Sequence, residues 1–174
     1  MGIRIRLHAA VLGLAILSAA CAGRSAVPEP FPTARRPPTG APPEHAPVMS
    51  APVPPAIADL LQTATALIGT PYRMGGGDPQ GFDCSGFVHY VFGQHGVQLP
   101  RTVEEQAEAG RRVGRPEAGD LVFFRTEGRG PSHVGIALGP DRFIHAPSSR
   151  GRVRIELLGS SYWSSRFLEA RRVP

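Results

Sequence analysis

Lysine is missing from the 174 residues, so all 19 basic side chains are arginines. Aromatic residues make up only 7%, and there are just two cysteines, Cys21 and Cys84. No apolar run reaches the ~20 residues that a membrane-spanning helix needs, which excludes a multi-span membrane protein. Blocks of five like charges are absent too. From Ile57 onward 14 arginines stand against 12 acids, and the rest of the formal charge of +5 lies before that point. Nucleic-acid binding relies on clustered basic residues, whereas these arginines are interleaved with acids, so no nucleic-acid partner is expected. Arg111, Arg112 and Arg115 form the densest group and read as a solvated face. A coiled coil and a two-domain enzyme are excluded by pattern and length.

Proline is plentiful but unevenly spread, with 11 of 19 residues between Pro28 and Pro55. The chain divides into residues 1–20, 21–55 and 56–174. In the first, Arg4 and Arg6 precede an apolar run of twelve from Ala9 to Ala20, the pattern of an export signal. Leu17-Ser18-Ala19-Ala20-Cys21 resembles the processing site of bacterial lipoproteins, in which the Cys is lipidated. Ser18-Ala19-Ala20 also suits ordinary signal cleavage, and both readings place the domain outside the cytoplasm. The second segment is Pro-rich and should be a semi-rigid spacer that holds the domain off a membrane surface. The third has the texture of one domain with a modest core. With Cys21 assigned to the address, Cys84 is left without a disulfide partner, either buried or there to react.

The domain reads as helices followed by strands, an α+β arrangement with N-terminal helices packed on a small antiparallel sheet. Ile57, Leu60, Leu61, Ala64 and Leu67 recur at helical spacing until Gly69. A glycine-rich loop, with Gly75 to Gly77 as a flexible cleft lip, leads to a second helix from Cys84 to near Gly96. Thr102 and Glu105 form a capping box for a short third helix. Alternating stretches then mark strands at 120–125, 133–138, 142–146, 153–157 and 167–173.

Cys84 opens the second helix behind Asp83, its expected N-cap. The partial positive charge at a helix N-terminus favours a thiolate and is expected to lower the thiol pKa, and Gly86 is expected to keep the approach open. A nucleophilic Cys needs a base within hydrogen-bond reach. His89 lies about 140° round the helix and His95 roughly 16 Å along it, which leaves His133 and His145 on the strands. His133, Gly135 and Ala137 share one strand face, whose small residues are expected to admit the Cys84 helix. If Gly139-Pro140-Asp141 is a three-residue hairpin loop, His145 opposes Gly135 and becomes the diagonal neighbour of His133. A four-residue loop would put the two on opposite faces. Two histidines fall short of the three or four ligands of a zinc site, so no metal or cofactor is expected.

Six ordered blocks then carry a family resemblance: Gly69-Thr70-Pro71-Tyr72-Arg73, Gly81 to Val88 around Asp83-Cys84-Ser85-Gly86, Leu99-Pro100-Arg101-Thr102, Gly119 to Phe124, Ser132 to Ile136 and Phe143 to Ala146. Together they resemble the NlpC-type cell-wall cysteine peptidases. The resemblance implies a papain-like fold and a peptidase acting on peptidoglycan stem peptides, cutting between D-γ-glutamate and the following diamino acid. Carried over by position, it implies Cys84 as nucleophile, His133 as base and His145 as the residue that orients it. Tyr72, Asp83, Ser85 and Arg101 become substrate contacts, with Asp83 suited to an N-terminal ammonium. Met74 departs from the family's larger aromatic before the glycine run. Trp163 reads as core packing.

The expected protein is therefore a periplasmic, outer-membrane-anchored lipoprotein peptidase, lipidated at Cys21. No wall-binding repeat is read in the chain, so placement on the wall would depend on the tether or on a wall-targeting or regulatory partner. An amidase or acyltransferase on the same chemistry, and a catalytically silent wall-binding lipoprotein, are the alternatives.

Overall fold

The computed structural model describes residues 52–148 and 151–174. The expected export signal, Cys21 and nearly all of the expected spacer lie outside the described residues. Helix α1 spans Pro55–Ala66, with Pro55 preset for the first helical turn. Gly69, at φ +91°, turns the chain away in the left-handed region. Two short strands follow, β1 (Gly77–Asp78) and β2 (Gly81–Phe82), then α2 (Cys84–Gln94) and α3 (Val103–Gln106). The remainder is β3 (Arg111–Val113), β4 (Leu121–Phe124), β5 (His133–Ala137), β6 (Arg142–His145), β7 (Arg154–Leu157), α4 (Ser161–Ser164) and β8 (Phe167–Arg172). No described helix is long and apolar enough to cross a membrane.

The large sheet has the order β3-β8-β4-β5-β6-β7, and all its neighbours are antiparallel. This is the α+β arrangement expected from the sequence. The strand β3 was not expected. Its arginines lie directly opposite those of β8, Arg111 with Arg172 and Arg112 with Arg171, an arrangement that like-charge repulsion opposes. Acids offset it: Arg112 pairs with Glu169, and Arg172 grips the buried Asp120 with a two-bond fork of 2.7 and 2.9 Å. Arg111 and Arg112 remain exposed, so the solvated face is real but belongs to an edge strand.

Six of the seven phenylalanines among the described residues are buried, each contributing about 1.5–3 kcal/mol through loss of apolar surface to water. They fall on two sides of the sheet. On one side Val134, Ile136, Ile144, Leu121 and Phe123 meet Phe87, Val88, Val91 and Phe92 of α2 and Leu60 and Ala64 of α1. On the other, Val122, Phe124, Ala137, Phe143 and Ala170 gather under Trp163 of α4. The expected placement of the Cys84 helix is thereby corrected. It packs on the Val134/Ile136 face, not on the His133/Gly135/Ala137 face. The space beside Gly135 is taken by the Phe143 ring, which a Cβ there would meet at 2.7 Å.

Candidate active site

Cys84 is the first residue of α2, and Asp83 caps the helix by accepting from the Gly86 N–H at 2.6 Å. The strand ladder brings the start of a helix on one face to the strand that carries a histidine on the other. In β5, alternation turns the Val134 N–H toward β6, but β6 pairs with β5 only at Ile136↔Ile144 and Ala137↔Phe143. The Val134 N–H is left without a strand partner and lies close enough to the Cys84 sulfur to favour its thiolate. Cys84 thus lies near the backbone of the residue next to His133, where the pairing of β5 with β6 ends.

The hairpin is the three-residue one. The Leu138 N–H donates to the Arg142 carbonyl, which fixes the register that sets His145 opposite Gly135. His133 Nε2 and His145 Nδ1 are 2.7 Å apart, with rings at 89°. That bond uses Nε2 of His133 and leaves Nδ1 outside it. Trp163, expected as packing alone, also stacks on His133 at 5.3 Å and 27° and closes the back of the site. A cavity of about 420 Å³ opens beside His133, with Thr126, Glu127, Arg154, Glu156 and Tyr162 among its walls. Glu156 was missed in the sequence. Its Oε1 lies 3.7 Å from His145 Nε2, and the alternation of Arg154 and Glu156 with Ile155 and Leu157 was the only signal for it.

Burial governs the protonation of these groups. It pushes the Cys84 thiol up to about 11, the Asp83 charge adding to the rise, while the N–H groups of Val134, Ser85 and Cys84 work against it. The lowered thiol pKa expected from the helix N-terminus is therefore corrected: desolvation outweighs the helix end. Burial likewise holds His133 and His145 below the ordinary histidine range, and Arg154 lowers both further. The resting pair is a neutral thiol and neutral imidazoles.

The residues expected to meet substrate form one network. Arg101 donates to Asp83 through both nitrogens, at 2.9 and 2.7 Å, and to Ser85 Oγ and the Gly76 carbonyl at 3.0 and 3.1 Å. Asp83 Oδ2 also accepts from the Gly75 N–H at 3.0 Å. These bonds fill the acceptor positions of Asp83, whose side chain is only 16% exposed. Asp83 is thus held within the protein, and together with Ser85 and Arg101 it still lines an open cavity of about 480 Å³. The glycine lip is pinned rather than loose, with Gly76 bonded to Arg73, Asp83 and Arg101. Gly86 is required for a different reason than access, since a Cβ there would lie 2.0 Å from the Gly76 carbonyl oxygen. Tyr72 stands across from the thiol, half-buried, its pKa raised by burial and then by Cys84 and Asp83. Met74 is 86% exposed at the lip. Among the described residues no three His, Cys, Asp or Glu side chains group as metal ligands.

Residues 69–172 match the NlpC/P60 family model. The chain is 47% identical over 108 residues to the Escherichia coli murein DD-endopeptidase MepS/murein LD-carboxypeptidase, covering 60% of this chain and 56% of that protein. It is 45% identical over 125 residues to the Bacillus subtilis gamma-DL-glutamyl hydrolase, covering 68% of this chain and 30% of that protein. The chain therefore spans about a third to a little over half the length of these relatives. The crystal structure of an NlpC/P60 family protein from Bacillus cereus superposes with a TM-score of 0.64 at 35% identity, over 71% of this chain and 42% of that one. With the matched segment running from the loop before Tyr72 to the end of β8, the chain belongs to the NlpC/P60 family.

Proposed function

We propose that this protein is an exported cysteine peptidase that hydrolyses peptidoglycan stem peptides at the bond between D-γ-glutamate and the diamino acid. The observation that carries the reading is the 2.7 Å bond between His133 and His145, formed on the strand whose Val134 N–H favours the Cys84 thiolate. His133 Nδ1 takes the Cys84 proton as the sulfur attacks the scissile carbonyl, because neither group is charged at rest. The Cys84 N–H at the helix start supports the oxyanion. His133 then returns the proton to the leaving amine, and water releases the acyl group from the thioester. His145 holds the ring of His133 and stabilises its charged form. Tyr72 supplies a hydroxyl at the cleft, whereas Asp83, Ser85 and Arg101 shape it through their network.

The relatives' names support peptidoglycan as substrate but divide on the bond. One names a γ-glutamyl linkage and the other a DD-linkage. A digest of purified wall by the full chain, read by mass spectrometry, tests the choice. Stem peptides ending in D-γ-glutamate are expected. Opened D-alanyl cross-links would replace the bond and keep the mechanism, and severed sugar-peptide links would replace the peptidase with an amidase. We further propose lipidation at Cys21 and an outer-membrane location. Cys21→Ser should then move the protein from the membrane fraction with its wall-cutting rate unchanged, and a wild type already free of membrane would refute the anchor.

A further inference from the structure

Glu156 lies where the line of histidines ends. β7 pairs His145 with Arg154 and Phe143 with Glu156, so Glu156 is the diagonal neighbour of His145 on the same face. His145 is in turn the diagonal neighbour of His133. The three side chains run obliquely across β5, β6 and β7, the spacing at which diagonal partners reach one another. His145 is fully buried, and its Nε2 has no hydrogen-bond partner. The nearest carboxylate oxygen to it is Glu156 Oε1 at 3.7 Å. The carboxylate is itself held: the Trp163 indole N–H donates to Oε2, and Arg154 Nε pairs with Oε1.

Proton bookkeeping gives this arrangement a direction. To accept the thiol proton on Nδ1, neutral His133 must carry its own proton on Nε2 and donate it to His145 Nδ1. Neutral His145 then carries its proton on Nε2, the atom that faces Glu156. The opposite tautomers would aim a lone pair of His145 at a carboxylate and leave a proton on the ring nitrogen of His133 that must accept one. We propose that Glu156 is a positioning residue that fixes the tautomer of His145 and through it orients His133 to receive the Cys84 proton. No proton passes to Glu156 itself. Catalytic hydrogen bonds are commonly long before substrate binds, and Arg154 shares Oε1 in the resting state. The inference rests on the reading of Cys84 and His133 as nucleophile and base.

The test uses the full chain and needs no wall. Two-bond ¹⁵N–¹H correlation spectra of protein labelled at histidine identify each ring's tautomer, and iodoacetamide alkylation is followed at the Cys84 peptide by mass spectrometry. Wild type is expected to hold His133 and His145 as Nε2–H. In Glu156→Gln the buried Trp163 N–H keeps the amide oxygen, while the half-exposed Arg154 can swing away. The amide NH₂ then faces His145 Nε2 and favours the Nδ1–H form. Cys84 alkylation should slow by about 10- to 100-fold, the scale of partners that orient a functional histidine, and Glu156→Asp should recover part of it. A wild-type His145 in the Nδ1–H form overturns the proposal without any variant, even if Glu156→Gln fails to fold. So does a folded Glu156→Gln protein with wild-type tautomers and alkylation rate. A protein that passes both readouts but leaves peptidoglycan uncut would refute the proposed substrate and leave this inference standing.

Discussion

The two faces of the sheet are built from the same strands and do different work. On the face under α1 and α2, Val134, Ile136 and Ile144 meet Phe87, Val88 and Val91 in one apolar cluster. On the other face, His133 and His145 lie among Phe124, Phe143 and Trp163 and carry a polar line through an otherwise apolar cluster. The first face seats Cys84, the proposed nucleophile, at a helix start capped by Asp83 and near a strand N–H that has no strand partner. The second holds His133, the proposed base, through side chains, each beside its diagonal neighbour. Backbone positioning tolerates surface change but not altered packing. Side-chain positioning tolerates packing change but not loss of a ring nitrogen.

The sharpest way to break that contrast is to remove one group from each face. Cys84→Ala and His133→Ala delete the bond-making atoms, and each should lower wall hydrolysis by at least about 10³-fold, with the double variant no worse than either alone. Quantified muropeptide release measures this, and multiplicative losses would mean that the thiol and imidazole do not act as a unit. His145 comes next. His145→Asn or His145→Gln can still hold the His133 ring but carries no imidazole charge, so a loss of about 10- to 100-fold with a measurable remainder is expected, as for orienting partners. Complete loss in a folded variant would mean that His145 enters the chemistry directly.

Asp83 tests the helix face. Its carboxylate caps α2, holds Gly75 and pairs with Arg101, so Asp83→Ala should act chiefly on stability. Loss of an N-cap alone costs about 0.5–2 kcal/mol, and the Arg101 guanidinium, 39% exposed, recovers part of its solvation in water. Thermal denaturation should show a lower midpoint in Asp83→Ala. Preferential loss on short free-amine peptides with an unchanged midpoint would instead return Asp83 to the role of substrate contact.

Much of this was legible in the sequence because it is local. The capping box of Thr102 and Glu105 formed as its spacing requires, and the length of the Gly139-Pro140-Asp141 loop set the register that joins the two histidines. Alternation tells which residues share a face, but not what covers it. Both faces of β5 are buried, so the small residues beside His133 pointed to a helix where a phenylalanine and a tryptophan lie. The direction of the Cys84 shift was misread for a related reason, because burial is a property of the whole fold and a helix end is visible locally. Glu156 went unseen because an Arg-Ile-Glu-Leu strand at a sheet edge looks like a solvated one. Only the register across three strands reveals that its acid faces a buried imidazole.

The smallest expected effect concerns the pH range over which the two faces stay joined. Burial holds His133 and His145 below their ordinary value, which is about 6.5. Above that value both rings are neutral folded or unfolded, and their burial carries no proton penalty. As the pH falls below it, the unfolded chain binds protons that the folded rings refuse, so stability declines toward the lowered folded value. The thiol sets the other limit. Raised to about 11 when folded, Cys84 stays protonated while an unfolded thiol ionises from about 8.5 upward, so stability also declines as the pH rises beyond that point. A plateau of midpoint temperature between roughly 6.5 and 8.5 is expected on these grounds. His145→Gln should flatten the acid side and Cys84→Ala the alkaline side, each leaving the other slope in place. Midpoints recorded from pH 5 upward avoid most of the carboxylate titration. An acid slope unchanged by His145→Gln would mean that the buried imidazole pair is not what limits the folded state there.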